Sequence, residues 1–279
     1  MKKVNGDGVK INLATWEGNA GPLLCIHGIT ANCRCWDVLA ASLTPDYRVM
    51  AMDLRGRGQS DKPSVGYSLD FHLRDIESVL DNLEIDRTVI MGHSLGAFIG
   101  LAFAAKYPQR VDRLILVDGG GDLSAEQFDK VFEGIKPALE RLGQLFPSVE
   151  AYLDKMKQAP YIHPWTPAVE TYYRYEIEEV EGGVRTNIDP AHIQEESDNI
   201  RKVDCAPFYP QLQCKVLILR APHGLFSMDD LLLPESVINK MTAEIPNVRR
   251  FDVEGTNHYG IVMQQHEARD HAIREFLEK

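Results

Sequence analysis

Thr88-Val89-Ile90-Met91-Gly92-His93-Ser94-Leu95-Gly96 is the stretch on which the fold turns. Its first four residues are a short apolar run, and a helical pattern marked by Phe98, Ala102 and Ala105 follows it. Between them lies G-x-S-x-G, the spacing of a nucleophile elbow, in which a strand enters, a serine holds the apex and a helix leaves. Residues two before and two after the serine must be small, or the two backbones collide. Gly92 and Gly96 meet that condition. The following helix points its positive end at the hydroxyl and favours negative charge developing there. Ser94 is the candidate nucleophile.

Outward from the elbow the same rhythm repeats. Pro22–Ile26, Tyr47–Met52, Thr88–Met91, Arg113–Val117, Lys215–Leu219 and Val248–Val253 read as strands, mostly apolar without alternation, as strands covered on both faces are. Val9–Trp16 reads as an earlier strand that could form half of a hairpin. Between them, Leu69, Leu73, Ile76, Leu80 and Leu83 form a helical stripe behind Ser68 as N-cap, and Ala268, Ala272 and Phe276 form another. Strand–helix alternation predicts an α/β fold with a mainly parallel sheet.

The rhythm breaks from about Gly121 to Leu212. Ser124 with Gln127 reads as a capping box before a helix bearing Phe128, Phe132, Ile135 and Leu139, which Pro137 should kink or split. Thr166-Pro167 and Asp189-Pro190 each read as an N-cap before a first-turn proline, and Gly182-Gly183 as a hairpin turn. The expected organisation is a core of residues 1–121 and 213–279 interrupted by a helical cap over 122–212.

Composition narrows the partners. Against 41 Asp+Glu there are 30 Lys+Arg, a net charge of −11, which disfavours nucleic acid and anionic membrane surfaces. No apolar run approaches the ~18 residues of a membrane span, and MKKVNGDGVK lacks the apolar core of a signal peptide. Five cysteines at no framework spacing read as reduced thiols, hence a cytoplasmic location. Cys33-x-Cys35 has no second pair for zinc, and Gly119-Gly120-Gly121 lacks the spacing of a dinucleotide fingerprint. Neither metal nor cofactor is expected.

The chain resembles the α/β-hydrolase fold superfamily. The resemblance is carried by His27-Gly28 after a strand, Asp53-Leu54-Arg55-Gly56-Arg57-Gly58-Gln59-Ser60 after the next, the elbow at Ser94, and Gly255-Thr256-Asn257-His258 after the last strand. It implies an eight-stranded, mainly parallel sheet with helices on both faces and a lid inserted after the sixth strand. It implies His258 as the base, since a late histidine closes the order serine, acid, histidine. Its pKa near neutrality lets it take and return a proton. It implies an oxyanion hole from the backbone amides of Ile29 and Leu95. His27 and His93 read as structural or pocket-lining, with His223 the least easily dismissed of the remaining histidines.

The acid stays open. Family members most often carry it in the loop after the strand Lys215–Leu219, where alignment puts Gly224. A subset uses the end of the preceding strand, where Asp118 stands. Asp118 is favoured, with Asp229 or Asp230 as alternatives. The expected activity is hydrolysis of a small-molecule carboxylic ester or lactone through Ser94, His258 and Asp118. Carbon–carbon hydrolysis, acyl transfer or perhydrolysis on the same triad, and a slow-turnover ligand receptor, are the alternatives. Trp36 and Tyr259 are candidate pocket residues. Glu176-Ile177-Glu178-Glu179 reads as a solvated acidic face, and the aromatics of the insertion as cap packing or a substrate tunnel. Oligomeric state is not legible.

Overall fold

A computed structural model of the chain describes residues 1–225 and 228–278. Its strands are β1 Lys2–Asn5, β2 Lys10–Trp16, β3 Ala20–Ile26, β4 Tyr47–Met52, β5 Thr88–His93, β6 Val111–Val117, β7 Ile177–Val180, β8 Gly183–Thr186, β9 Lys215–Arg220 and β10 Val248–Asp252. Eight form one sheet in the order β1-β2-β4-β3-β5-β6-β9-β10. β2 pairs antiparallel with β1 and β4, and every other pair is parallel. The expected eight-stranded, mainly parallel sheet is present.

The central strands are buried toward their carboxyl ends, as in Leu23–Ile26 and Leu114–Val117. Each such side chain contributes roughly 1.5–3 kcal/mol on leaving water. The helices are α1 Asp37–Leu43, α2 Leu69–Asn82, α3 Leu95–Lys106, α4 Ala125–Gly134, α5 Lys136–Glu140, α6 Val149–Lys157, α7 Pro167–Tyr175, α8 Pro190–Ile200, α9 Glu235–Glu244, α10 Gly260–Met263 and α11 Glu267–Glu278. Residues of α2, α3 and α9 join the apolar cluster on one face of the sheet. Those of α1 and α11 join the cluster on the other.

Between β6 and β9 the chain runs through α4 to α8 and the small antiparallel pair β7–β8. Pro137 splits the expected helix into α4 and α5 at Ile135. The Ser124 hydroxyl caps the Gln127 amide at 3.2 Å, but the Gln127 side chain reaches to the carbonyls of Asp229 and Leu231 instead of closing a box. Ser68 stands at the N-cap of α2 without a side-chain cap bond. Thr166 and Asp189 do accept from the first-turn amides of α7 and α8.

Glu176 is not on a solvated face. It is fully buried between the Arg141 guanidinium, whose Nε and Nη2 donate at 2.8 and 2.9 Å, and the Tyr152 hydroxyl. Its partner stands 35 residues away, which is why the acidic run misleads. Arg141 also donates to the Thr30 carbonyl at 3.0 Å, tying the segment to the loop after β3. A second tie runs through α8. Glu196 lies 2.8 Å from His72 and 3.1 Å from Arg57, and Glu195 accepts the amides of Gly66 and Tyr67.

Candidate active site

Parallel register aligns the carboxyl ends of the central strands. Ile26 pairs with Gly92, His93 with Val117, and Val117 with Leu219. Gly28, Ser94, Asp118 and Ala221 therefore leave the sheet at one edge. The Ser94 amide donates to Val117 and the Asp118 amide to Leu219, so both residues are held at their backbones by the neighbouring strand.

Ser94 has φ 55° and ψ −120°, a left-handed conformation that costs a non-glycine residue roughly 1–3 kcal/mol. The flanking glycines make it possible. A Cβ on Gly92 would lie 2.0 Å from the Gly96 carbonyl oxygen, and one on Gly96 would lie 2.0 Å from that of Ile26. Gly119 also passes closely, since its Cβ would meet the Ser94 carbonyl oxygen at 2.6 Å.

Asp118 also has a positive φ, 44°, which turns its carboxylate along the sheet edge. Oδ1 accepts the Ala221 amide at 3.1 Å, and Oδ2 lies 2.8 Å from His258 Nδ1. Both side chains are buried. With Nδ1–H given to the carboxylate, the neutral His258 imidazole keeps its lone pair on Nε2. Asp229 and Asp230 stand elsewhere. Asp230 accepts the Leu225 amide at 2.7 Å beside α4, and the Asp229 carbonyl takes the Gln127 side chain.

The loop bearing His258 is clamped by its neighbour. Asn257 Oδ1 accepts from the amides of Gly260 at 2.8 Å and Tyr259 at 3.2 Å, and its Nδ2 donates to the Tyr161 carbonyl at 3.0 Å. His93 Nε2 donates to the His258 carbonyl at 2.9 Å, with the two rings 4.4 Å apart. Burial, and then the nearby His258, push the His93 pKa well below its ordinary value, so it stays neutral. His27 is neutral too. Its Nε2 accepts from the Leu54 amide at 3.0 Å, so Nδ1–H donates to the Gly28 carbonyl at 2.7 Å, and burial lowers its pKa to about 4. His223 is an exposed residue whose backbone pairs with the 256–257 loop.

One cavity reaches Ser94, His93 and His258. Gly28, Ile29, Thr30, Ser94, Leu95 and His258 line its floor. Leu123, Phe128, Val131, Phe132, Ile135 and Ile200 line it from the segment between β6 and β9. The stripe on α4 thus faces the cavity, and Phe128 and Phe132 stack on each other at 4.6 Å there. Tyr259 lines the cavity as expected, but Trp36 does not. The 3₁₀ turn Cys33–Trp36 presents Cys35 to the cavity and buries Trp36 completely in the core. Of the insertion's other aromatics, Tyr172 reaches the cavity, while Tyr152, Trp165 and Tyr173 pack on one another. Sequence reasoning passed over Asn257. Its signal was its place directly before His258 in a polar turn.

Among the described residues, no three His, Cys, Asp or Glu side chains cluster so as to hold a metal ion, and no helix is long and apolar enough to cross a membrane.

Known proteins resemble the chain in sequence and fold. The alpha/beta hydrolase fold family matches over residues 21–152. A 2-(acetamidomethylene)succinate hydrolase of Mesorhizobium japonicum is 30% identical over 253 residues, covering 90% of this chain and 86% of that protein. A crystal structure of E-2-(acetamidomethylene)succinate hydrolase superposes with a TM-score of 0.87 at 25% identity, over 100% of this chain and 98% of the other. An uncharacterized protein of Mycobacterium tuberculosis is 44% identical over 104 residues, and that match spans only 37% of this chain and 30% of the relative.

Proposed function

The chain belongs to the α/β-hydrolase fold family, and we propose that it hydrolyses a small-molecule carboxylic ester or lactone with Ser94 as nucleophile, His258 as general base and Asp118 as its orienting acid. One observation carries this. A serine held on a strained elbow and an imidazole fixed by a buried carboxylate line the same cavity.

His258 Nε2 takes the Ser94 proton as Oγ bonds to the substrate carbonyl carbon. The carbonyl π pair moves to oxygen, and the amides of Ile29 and Leu95 stabilise that oxyanion. Neither amide has a backbone acceptor among the described residues. His27 supports the role of Ile29. It holds the Gly28 carbonyl, and in a trans peptide the N–H of the next residue points the opposite way. Collapse of the intermediate breaks the bond to the alcohol oxygen, which leaves with the proton from His258. A water then gives a proton to His258 and its oxygen to the acyl carbon, and collapse returns Ser94 and the free acid.

Residues 122–212 act in this proposal as a cap over the acyl site, supported by the apolar side chains that α4 and α8 contribute to the cavity. The five free, buried cysteines suit a reducing, cytoplasmic location.

A second reading, cleavage of a bond other than an ester's by the same triad, is favoured by the likeness to a protein named for 2-(acetamidomethylene)succinate hydrolysis. Kinetics with a p-nitrophenyl ester test the first. Steady turnover lost in Ser94→Ala supports it. Full turnover in that variant overturns the mechanism, and one stalled turnover in the wild type identifies a receptor.

A further inference from the structure

We infer that the cavity takes an uncharged substrate with an apolar acyl chain and rejects acyl groups that carry a carboxylate. This deepens the proposed ester chemistry and rests on it only for where the carbonyl sits.

The lining decides the class. Among the described residues that line the cavity there is no lysine, arginine, aspartate or glutamate. Beyond the floor the walls are mostly apolar, with Phe98 from α3, Phe128 and Phe132 from α4, Ile200 from α8, and Val262 and Met263 from α10, while Tyr172 and Tyr259 are the hydroxyl-bearing side chains among them. Phe128 and Phe132 both line the space an acyl chain would fill. Filling it removes apolar area from water on both sides, which favours a hydrocarbon.

A carboxylate there meets no cation among the described lining residues, and Arg201, outside over the Phe128 ring, is paired with Asp129. The two buried guanidiniums that bond to floor carbonyls are already committed. Arg57 donates to the Ile29 carbonyl and pairs with Glu196. Arg141 donates to the Thr30 carbonyl and pairs with Glu176 through both carboxylate oxygens. Each stands behind the wall with its charge balanced. His93 does not serve either, because its Nε2–H is spent on the His258 carbonyl and burial keeps the ring neutral. An ion buried without a partner loses its hydration and gains nothing in return.

Two matched pairs test this. In the first, kcat/KM is measured for p-nitrophenyl hexanoate and mono-p-nitrophenyl adipate, which differ by a terminal carboxylate. The hexanoate is expected to be favoured at least 100-fold, and Phe132→Lys to narrow that ratio at least tenfold. In the second, calorimetry on Ser94→Ala compares octan-2-one with 7-oxooctanoate, where no ester is cleaved. The neutral ketone is expected to bind at least 100-fold more tightly. Ratios below tenfold in both pairs, or no binding of octan-2-one, overturn the inference. If no ester is hydrolysed while the ketone pair discriminates, the substrate class stands and the ester chemistry falls.

Discussion

Asp118→Asn is the substitution whose consequence follows most directly from the geometry. The side chain keeps its shape but changes which atoms donate. The Ala221 amide, 3.1 Å from Oδ1, still requires an acceptor, so it selects the carboxamide oxygen. That leaves the new NH₂ against His258 Nδ1, where a 2.8 Å bond now runs to the carboxylate. Imidazole must then accept at Nδ1 and carry its proton on Nε2, the atom that should receive the Ser94 proton. The charge is lost as well. At 2.8 Å and an effective dielectric of about 20, the carboxylate–imidazolium attraction is roughly 6 kcal/mol. A rate loss of about 10⁴, as in the serine-protease template, corresponds to roughly 5.5 kcal/mol. The two agree, so kcat toward a p-nitrophenyl ester should fall about 10⁴-fold, with KM and the melting temperature nearly unchanged. Asp229→Asn combined with Asp230→Asn serves as the control and should cost under tenfold. A loss below tenfold for Asp118→Asn, or an equal loss in the control, refutes the assignment.

Asn257→Ala removes the hydrogen bonds to Tyr259, Gly260 and Tyr161, so kcat should drop at least tenfold with KM held, and Asn257→Asp, which keeps both acceptor bonds, should recover part of it. Glu176→Gln strands the buried Arg141 charge and should lower stability by about 3–5 kcal/mol in urea unfolding, and a change under about 1 kcal/mol would show the pair to be dispensable. Stability should also fall as pH drops below about 6.5. The unfolded chain protonates His27 near 6.5 and the folded chain only near 4, so the contribution present above 6.5 is lost on acidification, by about 2 kcal/mol at pH 5. His93 acts in the same direction. Urea midpoints that stay flat from pH 7 to 5 would contradict it.

Much of the fold was legible because its signals are short-range. The apolar runs and helical stripes carry their own period, and β4 and β9 begin where the apolar runs do. The capping box failed where a side chain had a better distant partner, as Gln127 has in the 229–231 loop. Glu176 looked solvated for the same reason. The run of acids around it says nothing about Arg141, and only folding brings that guanidinium against it. Trp36 and Cys35 were indistinguishable as neighbours of a motif, because a 3₁₀ turn decides which of the two faces the cavity.

By itself the sequence determined the sheet, the elbow and the two glycines that the elbow needs, since strand period and backbone collision depend on residues close together in the chain. Which carboxylate meets His258 was a matter for the tertiary structure, because Asp118 and His258 lie 140 residues apart and only folding brings them together. The character of the cavity was decided there too. Its walls come from α3, from the segment between β6 and β9 and from α10, and whether an arginine faces the cavity or stands neutralised behind a wall depends on partners that no local pattern names.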